Sequence, residues 1–157
     1  MEKKILVALD DSENAMRAVD FVATHFTSDC KITLFSVQQS SEKISEIRGP
    51  ELTPYFMSQK SAFATIEAQK KLRIEEAQKN AWERLRSAGF KEQDIVVRSE
   101  LVKKGIARDI ISEARSGGYG TVVIGRRGLS GIEEFFLGSV SQKVLHSLKS
   151  VSIIIVN

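Results

Sequence analysis

The feature that most constrains this chain is the alternation of short, unbroken apolar runs with segments of helical period. Ile5-Leu6-Val7-Ala8-Leu9 is the first run. Lacking polar alternation, it suits a strand buried on both faces, as in a parallel sheet. Asp10-Asp11-Ser12 ends it, and Ser12 is placed to cap a helix. Ala15, Val19, Val22 and Phe26 then recur at four-, three- and four-residue steps, one face of an amphipathic helix. Thr27-Ser28-Asp29 reads as a turn, and Lys31 to Val37 as a second strand. A long helix is predicted from about Ser61 to Ala88, with Ile74, Ala77, Ala81, Leu85 and Ala88 on one face and Gly89 as its stop. Ile95-Val96-Val97, within Asp94 to Val102, is the third strand. Ala107, Ile110, Ile111 and Ala114 mark a third helix closed by Gly117-Gly118, and Thr121 to Ile124 is a fourth strand. Ser139 to Leu148 is a fourth helix with Val140, Val144, Leu145 and Leu148 inward, and Ser152 to Val156 is the last strand. Residues 39–58 are polar, carry both prolines and read as a long loop.

Strands alternating with helices form βαβ units and a parallel sheet covered on both faces. The predicted class is therefore α/β: a doubly wound five-stranded parallel sheet in a three-layer, Rossmann-like sandwich, strand order 3-2-1-4-5, with residues 1–157 as one domain. Such sheets bind ligands beyond the carboxyl ends of their strands, where the strand order reverses. That point falls between strands one and four, so Asp10-Asp11-Ser12 and the stretch from Gly125 to Ser139 are the first places to look for a site.

Composition narrows the function classes. With 23 basic and 20 acidic residues interleaved, the net charge of +3 gives no basic face, and nucleic acid is not an expected partner. Cys30 is the only cysteine, so neither an internal disulfide nor a thiolate metal site is available. No apolar run approaches a membrane span, and Ile5 to Leu9 is too short for a signal-peptide core. A reducing cytoplasm is the expected compartment.

Eight of the ten glycines lie between Gly105 and Gly138. Gly125, Gly128 and Gly138 are among the four that sit in one strand-to-helix connection of about fourteen residues, where two to six are usual. Gly138-Ser139 opens the fourth helix, whose first N–H groups are unpaired and whose dipole end is positive, an anion site. The Ser139 and Ser141 hydroxyls can add hydrogen bonds, and Arg126 and Arg127 add charge and bidentate donors. These features describe a phosphate cradle, although glycine turns also close parallel strands that bind nothing. Two other phosphate motifs are absent: there is no Gly-Lys-Ser/Thr, and no G-x-G-x-x-G follows strand one.

Gly125-x2-Gly128-x9-Gly138-Ser139 resembles the G-2x-G-9x-G-S/T motif of the ATP-binding branch of the universal stress protein family. The opening Ile5 to Ser12 resembles that family's first strand and its aspartate, and Gly138 to Leu145 its helix-opening block. The likeness spans essentially the whole chain. It implies that Gly125, Gly128, Gly138, Ser139 and Val140 hold phosphates, that Asp10 faces the adenosine end, and that Val37 with Ala8 and Leu9 lines the adenine slot. The alternative for Asp10 is a turn or capping acid. The sequence departs from the family pattern at Asp11, where a small residue is common, at Ile106, where proline is frequent, at Gly120, and at Val151-Ser152.

The expected ligand is therefore ATP, AMP or another adenine nucleotide, with Mg²⁺. Glu133 and Glu134 are either water-mediated Mg²⁺ partners or a solvated turn. The expected role is a nucleotide-gated stress-response or regulatory module. A slow ATPase or autophosphorylating enzyme and a non-nucleotide interaction module are the alternatives; no general base is evident. His25 and His146 fall outside the candidate site, His146 suiting a helix C-terminus. The apolar edge strand Ser152 to Val156 invites pairing with a second chain, and the family resemblance likewise implies a two-fold homodimer. Other protein partners are left open.

Overall fold

In the computed structural model, which describes residues 3–40, 54, 59–127 and 137–157, the first apolar run forms strand β1 (Lys4–Ala8) at the centre of a parallel sheet. Helix α1 (Glu13–His25) leads to β2 (Lys31–Gln38). Helix α2 (Lys60–Ser87) and one 3-10 turn lead to β3 (Ile95–Leu101). Helix α3 (Ile106–Ser116) leads to β4 (Thr121–Gly125), and α4 (Ser139–Ser147) to β5 (Ser152–Val156). The sheet order is β3-β2-β1-β4-β5 with every neighbouring pair parallel, the doubly wound arrangement expected from the alternation.

The pleat of β1 divides the core in two. Ile5 and Val7 pack with α1 and α2 through Val19, Val22, Ala81 and Leu85. Leu6 and Ala8 pack with α3 and α4 through Ile110, Ile111, Ala114 and Val144. Helices on both faces are what makes the run unbroken, since neither face of β1 reaches water. Cys30 is a buried hydrophobe of the first cluster.

Two inward assignments differ from expectation. Leu145 is 40% exposed, because Val144 and Leu148 form the line of α4 that meets the sheet. Ala88 faces solvent because α2 ends there in a Schellman motif. Phe90 N–H donates to the Leu85 carbonyl and Gly89 N–H to that of Arg86, with Gly89 at φ +97°. The fully buried Phe90, rather than Ala88, packs with Leu85 in the core.

Buried polar side chains brace the layers. Gln78 on α2 donates through Nε2 to Ser36 Oγ at 3.0 Å and Ser99 Oγ at 2.7 Å, joining the helix to β2 and β3. On the other face the buried Glu113 of α3 accepts from Arg98 Nη1 at 3.0 Å and from the Tyr119 hydroxyl at 2.8 Å. Burial, against a hydrogen bond with Thr33, holds the Tyr119 phenol above its ordinary value. The hydrogen bond to Glu100 and the nearby Glu113 charge push the Arg98 guanidinium still higher. Together these contacts tie α2 to β2 and β3 on one face and α3 to β3 on the other.

Candidate nucleotide crevice

The turn after β1 is held by its own side chains. Asp10 Oδ1 accepts the Ser12 N–H at 2.9 Å, and Ser12 Oγ accepts the Ala15 N–H at 3.1 Å as the cap of α1. Asp10 therefore has the turn role weighed for it, and it also lines a crevice at the strand ends. One wall of that crevice is Ala8, Leu9 and Asp10 from the end of β1, and Phe35 and Val37 from β2 form the next. Ile74 of α2, Ile106 and Ile110 of α3, and Ile124 of β4 complete its apolar lining. Asp11, Gly125, Arg127, Val140 and Ser141 surround these at the β4 and α4 side. The slot has a volume of about 120 Å³.

A second cavity of about 490 Å³ adjoins the slot, and Ile106 and Val140 line both. It lies between the first turns of α3 and α4. Gly105, Ile106, Ala107 and Arg108 line one side, and Ser139, Val140 and Lys143 the other, with Gln39, Val102 and Lys104 at the end. A ligand site for a small molecule is commonly about 300–1,000 Å³, so the larger cavity has that size and the slot has the size of one subsite. Helix α4 begins at Gly138 and α3 at Gly105, neither with a side-chain cap. Their first N–H groups therefore lack partners within their helices.

Gly125 has a packing reason of its own. A Cβ there would stand 2.6 Å from both the carbonyl carbon and the oxygen of Asn14, so β4 can pass α1 only as glycine. Its carbonyl accepts the hydroxyl of the buried Ser141 at 2.8 Å. The Ser141 hydroxyl proton is thus committed to the β4–α4 junction. The long connection is pinned at its neck, where Gly138 N–H donates to the Arg126 carbonyl at 2.9 Å and Arg126 N–H to that of Val156 at 2.6 Å.

Of the residues expected at the site, Ala8, Leu9, Asp10, Val37, Gly125, Arg127, Val140 and Ser141 meet in the slot, and Ser139 and Val140 line the larger cavity. Gly138 caps α4. Arg126 lines neither cavity; its Nη1 donates to Asn157 Oδ1 at 3.0 Å. Gly128, Glu133, Glu134, Phe135 and Phe136 lie outside the described residues, as does most of 39–58. Sequence reasoning missed Phe35, Ile74, Ile106 and Ile110 as slot walls. Phe35 could have been found two residues before Val37 on an alternating strand, and Ile110 one turn after Ile106. Lys70, also at the slot, carried no signal.

Asp11 Oδ1 is buried in the slot without a hydrogen-bond partner among the described residues. Such an atom favours a ligand that brings a donor. The Asp109 carboxylate behind the larger cavity is satisfied by contrast, accepting the Lys103 N–H at 2.7 Å and the Lys104 N–H at 3.1 Å. It thereby fixes the turn that enters α3. Among the described residues no group of three or more His, Cys, Asp or Glu side chains could hold a metal ion.

A parallel sheet with its crevice at the switch point, one wall apolar and the other opening on a helix N-terminus, defines a doubly wound α/β protein with a candidate ligand crevice. Within that class the profile of the universal stress protein family matches residues 1–156, and the chain belongs to this family. Universal stress protein YxiE of Bacillus subtilis is 30% identical over 148 residues, 92% of each chain. Universal stress protein Sll1388 of Synechocystis is 34% identical over 157 residues, 97% of this chain and 96% of that one. The fold matches UspA of Lactobacillus plantarum with a TM-score of 0.71 at 16% identity, covering 99% of this chain and 97% of the other. It also matches a universal stress protein in complex with cAMP (TM-score 0.66, 21% identity, 99% and 97% covered). A further match is an Arabidopsis thaliana family member with AMP bound (TM-score 0.61, 20% identity, 99% and 92% covered). Among the described residues no helix is long and apolar enough to cross a membrane.

Proposed function

We propose that the crevice binds an adenine nucleotide, ATP in the first instance, and that the protein is a nucleotide-gated regulatory module of the stress response. The observation that carries this reading is the continuity of the apolar slot with the uncapped start of α4 across Val140. The base occupies the slot between Val37, Leu9 and Ala8, where flat apolar walls replace water. Asp10 and the unpartnered Asp11 oxygen accept hydrogen bonds from ribose hydroxyls or the adenine amine, a role suited to carboxylates at the end away from phosphate. The phosphate chain starts beside Gly125 and the first turn of α4, where Ser139 and Val140 present backbone N–H groups; Gly128 of the motif lies outside the described residues. Arg127, at the β4 side of the slot, adds positive charge to that end.

Mg²⁺ would arrive on the phosphates, since it is usually held by one or two carboxylates plus substrate oxygens and needs no all-protein cage. The complexes of relatives with cAMP and AMP support the adenosine half of this reading. The protein acts in the cytoplasm as a two-fold dimer through β5, whose Ile153 to Val156 are half-buried at the sheet edge. Calorimetric titration with ATP, with and without Mg²⁺, tests the proposal. Saturable heat below millimolar nucleotide is expected, and its absence for ATP, AMP and cAMP alike would refute nucleotide binding.

A further inference from the structure

The larger cavity has a charge pattern that the adenosine contacts do not use. Lys104 enters it from the turn before α3, Arg108 from the first turn of α3, and Lys143 from α4 one turn beyond Ser139. No carboxylate lines it among the described residues. Nearby cations are engaged: Lys103 pairs with Glu100 at 2.8 Å and Arg98 with Glu100 and Glu113. Lys104, Arg108 and Lys143 have no ion pair among the described residues. The backbone at Lys104 is fixed by a buried device, since the Asp109 carboxylate clamps the N–H groups of residues 103 and 104. The uncapped first turns of α3 and α4 face the same space and add to its positive potential.

The two cavities share the wall made by Ile106 and Val140. A nucleotide whose base fills the slot and whose first phosphate meets Ser139 therefore stands at the α4 edge of the basic cavity, and only a longer phosphate chain crosses it toward Lys104 and Arg108. We infer that this cavity selects the ligand by phosphate-chain length, with Lys104, Arg108 and Lys143 as the specificity-determining residues that favour ADP and ATP over AMP. The inference rests on the nucleotide reading above. A monophosphate ends at the α4 edge, short of Lys104 and Arg108, whereas the β- and γ-phosphates lie among all three cations. All three side chains are exposed, so each attraction has the strength of an exposed ion pair and is screened by salt. At that strength each contributes about a 2- to 5-fold preference, and the three together on the order of 10- to 100-fold.

The test is calorimetry of AMP, ADP and ATP on the wild-type chain and on the triple variant Lys104→Gln, Arg108→Gln, Lys143→Gln, in chelator to exclude Mg²⁺. All three positions are exposed, and a far-UV spectrum with a thermal melt verifies that the variant folds. ATP should bind the wild type at least ten-fold more tightly than AMP. The triple variant should lose that preference while AMP affinity stays within about two-fold, and raised salt should erode ATP affinity more than AMP affinity. Equal AMP and ATP affinity in the wild type would overturn the inference, as would an equal loss of both in the variant. If no nucleotide binds, the nucleotide reading fails, and inorganic tripolyphosphate then decides the cavity separately. Binding by the wild type but not by the variant upholds the three cations as a polyphosphate site, and no binding overturns it.

Discussion

Gly125 is expected at the site because a glycine lets a ligand approach the backbone, yet the structure places a second demand on it that needs no ligand. A Cβ at this position meets the Asn14 carbonyl carbon and oxygen at 2.6 Å and the Asn14 Cβ at 2.9 Å. Ordinary contact begins at 3.4 Å, so Gly125→Ala forces α1 and β4 apart by about 0.8 Å at closest approach. The obstacle is mostly backbone, so no side-chain rotation relieves it. Overpacking of this kind costs about 1–3 kcal/mol. The cost sits at the upper end here, because withdrawing α1 also pulls on the Ser12 cap and the Asp10 turn. For a chain of this size each kcal/mol is about 2–4 °C in Tm, so the variant should melt some 4–12 °C lower. Urea unfolding of the ligand-free proteins, with no nucleotide present, should show the same loss as a lower midpoint at unchanged slope. An unchanged midpoint would refute the packing argument and leave ligand approach as the only reason for glycine.

Ser141→Ala leaves the buried Gly125 carbonyl without its hydroxyl donor and should cost about 1–3 kcal/mol by urea unfolding; a midpoint within error of wild type would contradict this. Asp109→Ala strips the acceptor from two backbone N–H groups and should destabilise by about 1.5–3 kcal/mol. Amide exchange at Lys103 and Lys104 should quicken selectively, and unaltered exchange there would count against the clamp. The Lys103 ammonium, then Arg98, holds the Glu100 carboxyl below its ordinary value of about 4.3. A lowered folded value means the contribution is present above that ordinary value and is lost as pH falls through the folded one. Unfolding midpoints of wild type and Glu100→Gln should therefore converge on acidification from pH 5 to 3, and parallel curves would disprove the pairing.

Much of the fold was legible in the sequence because burial on both faces leaves a plain signature. β1 and β4 are unbroken apolar runs since helices cover both sides, and α3 shows its inward face at every expected position. Leu145 misled because a nine-residue helix touches the sheet along one narrow line, and hydrophobicity alone does not say which neighbours of Val144 lie on it. β3 is an edge strand with Val96, Val97 and Leu101 exposed, so its apolar residues do not mark core. Gln78 was illegible because a polar residue on a helix reads as surface until Ser36 and Ser99 are seen beneath it. In the candidate site, glycine spacing located the α4 side. The basic cavity did not show, because Lys104 and Arg108 at the start of α3 and Lys143 on α4 are brought together only by the crossover.

The hydrogen bonds at the neck of the long connection limit how a nucleotide could gate this protein. Ser141 to Gly125, Gly138 to Arg126, and Arg126 to Val156 tie the start of α4 to β4 and β5. These bonds involve only protein groups, so the N–H groups of the first turn of α4 are already oriented before a phosphate arrives. Binding then avoids the entropy of ordering that helix, which favours affinity. It also means that α4 is a poor moving part, because shifting it breaks the buried Ser141–Gly125 hydrogen bond and the Gly138–Arg126 bond at the end of β4. A ligand changes an equilibrium only through contacts that differ between two states. With the neck fixed, those differences have to arise away from α4, as at the turn before α3, where Lys104 meets the larger cavity. The cations that read phosphate-chain length are thus also the groups through which a triphosphate and a monophosphate would leave the surface in different states.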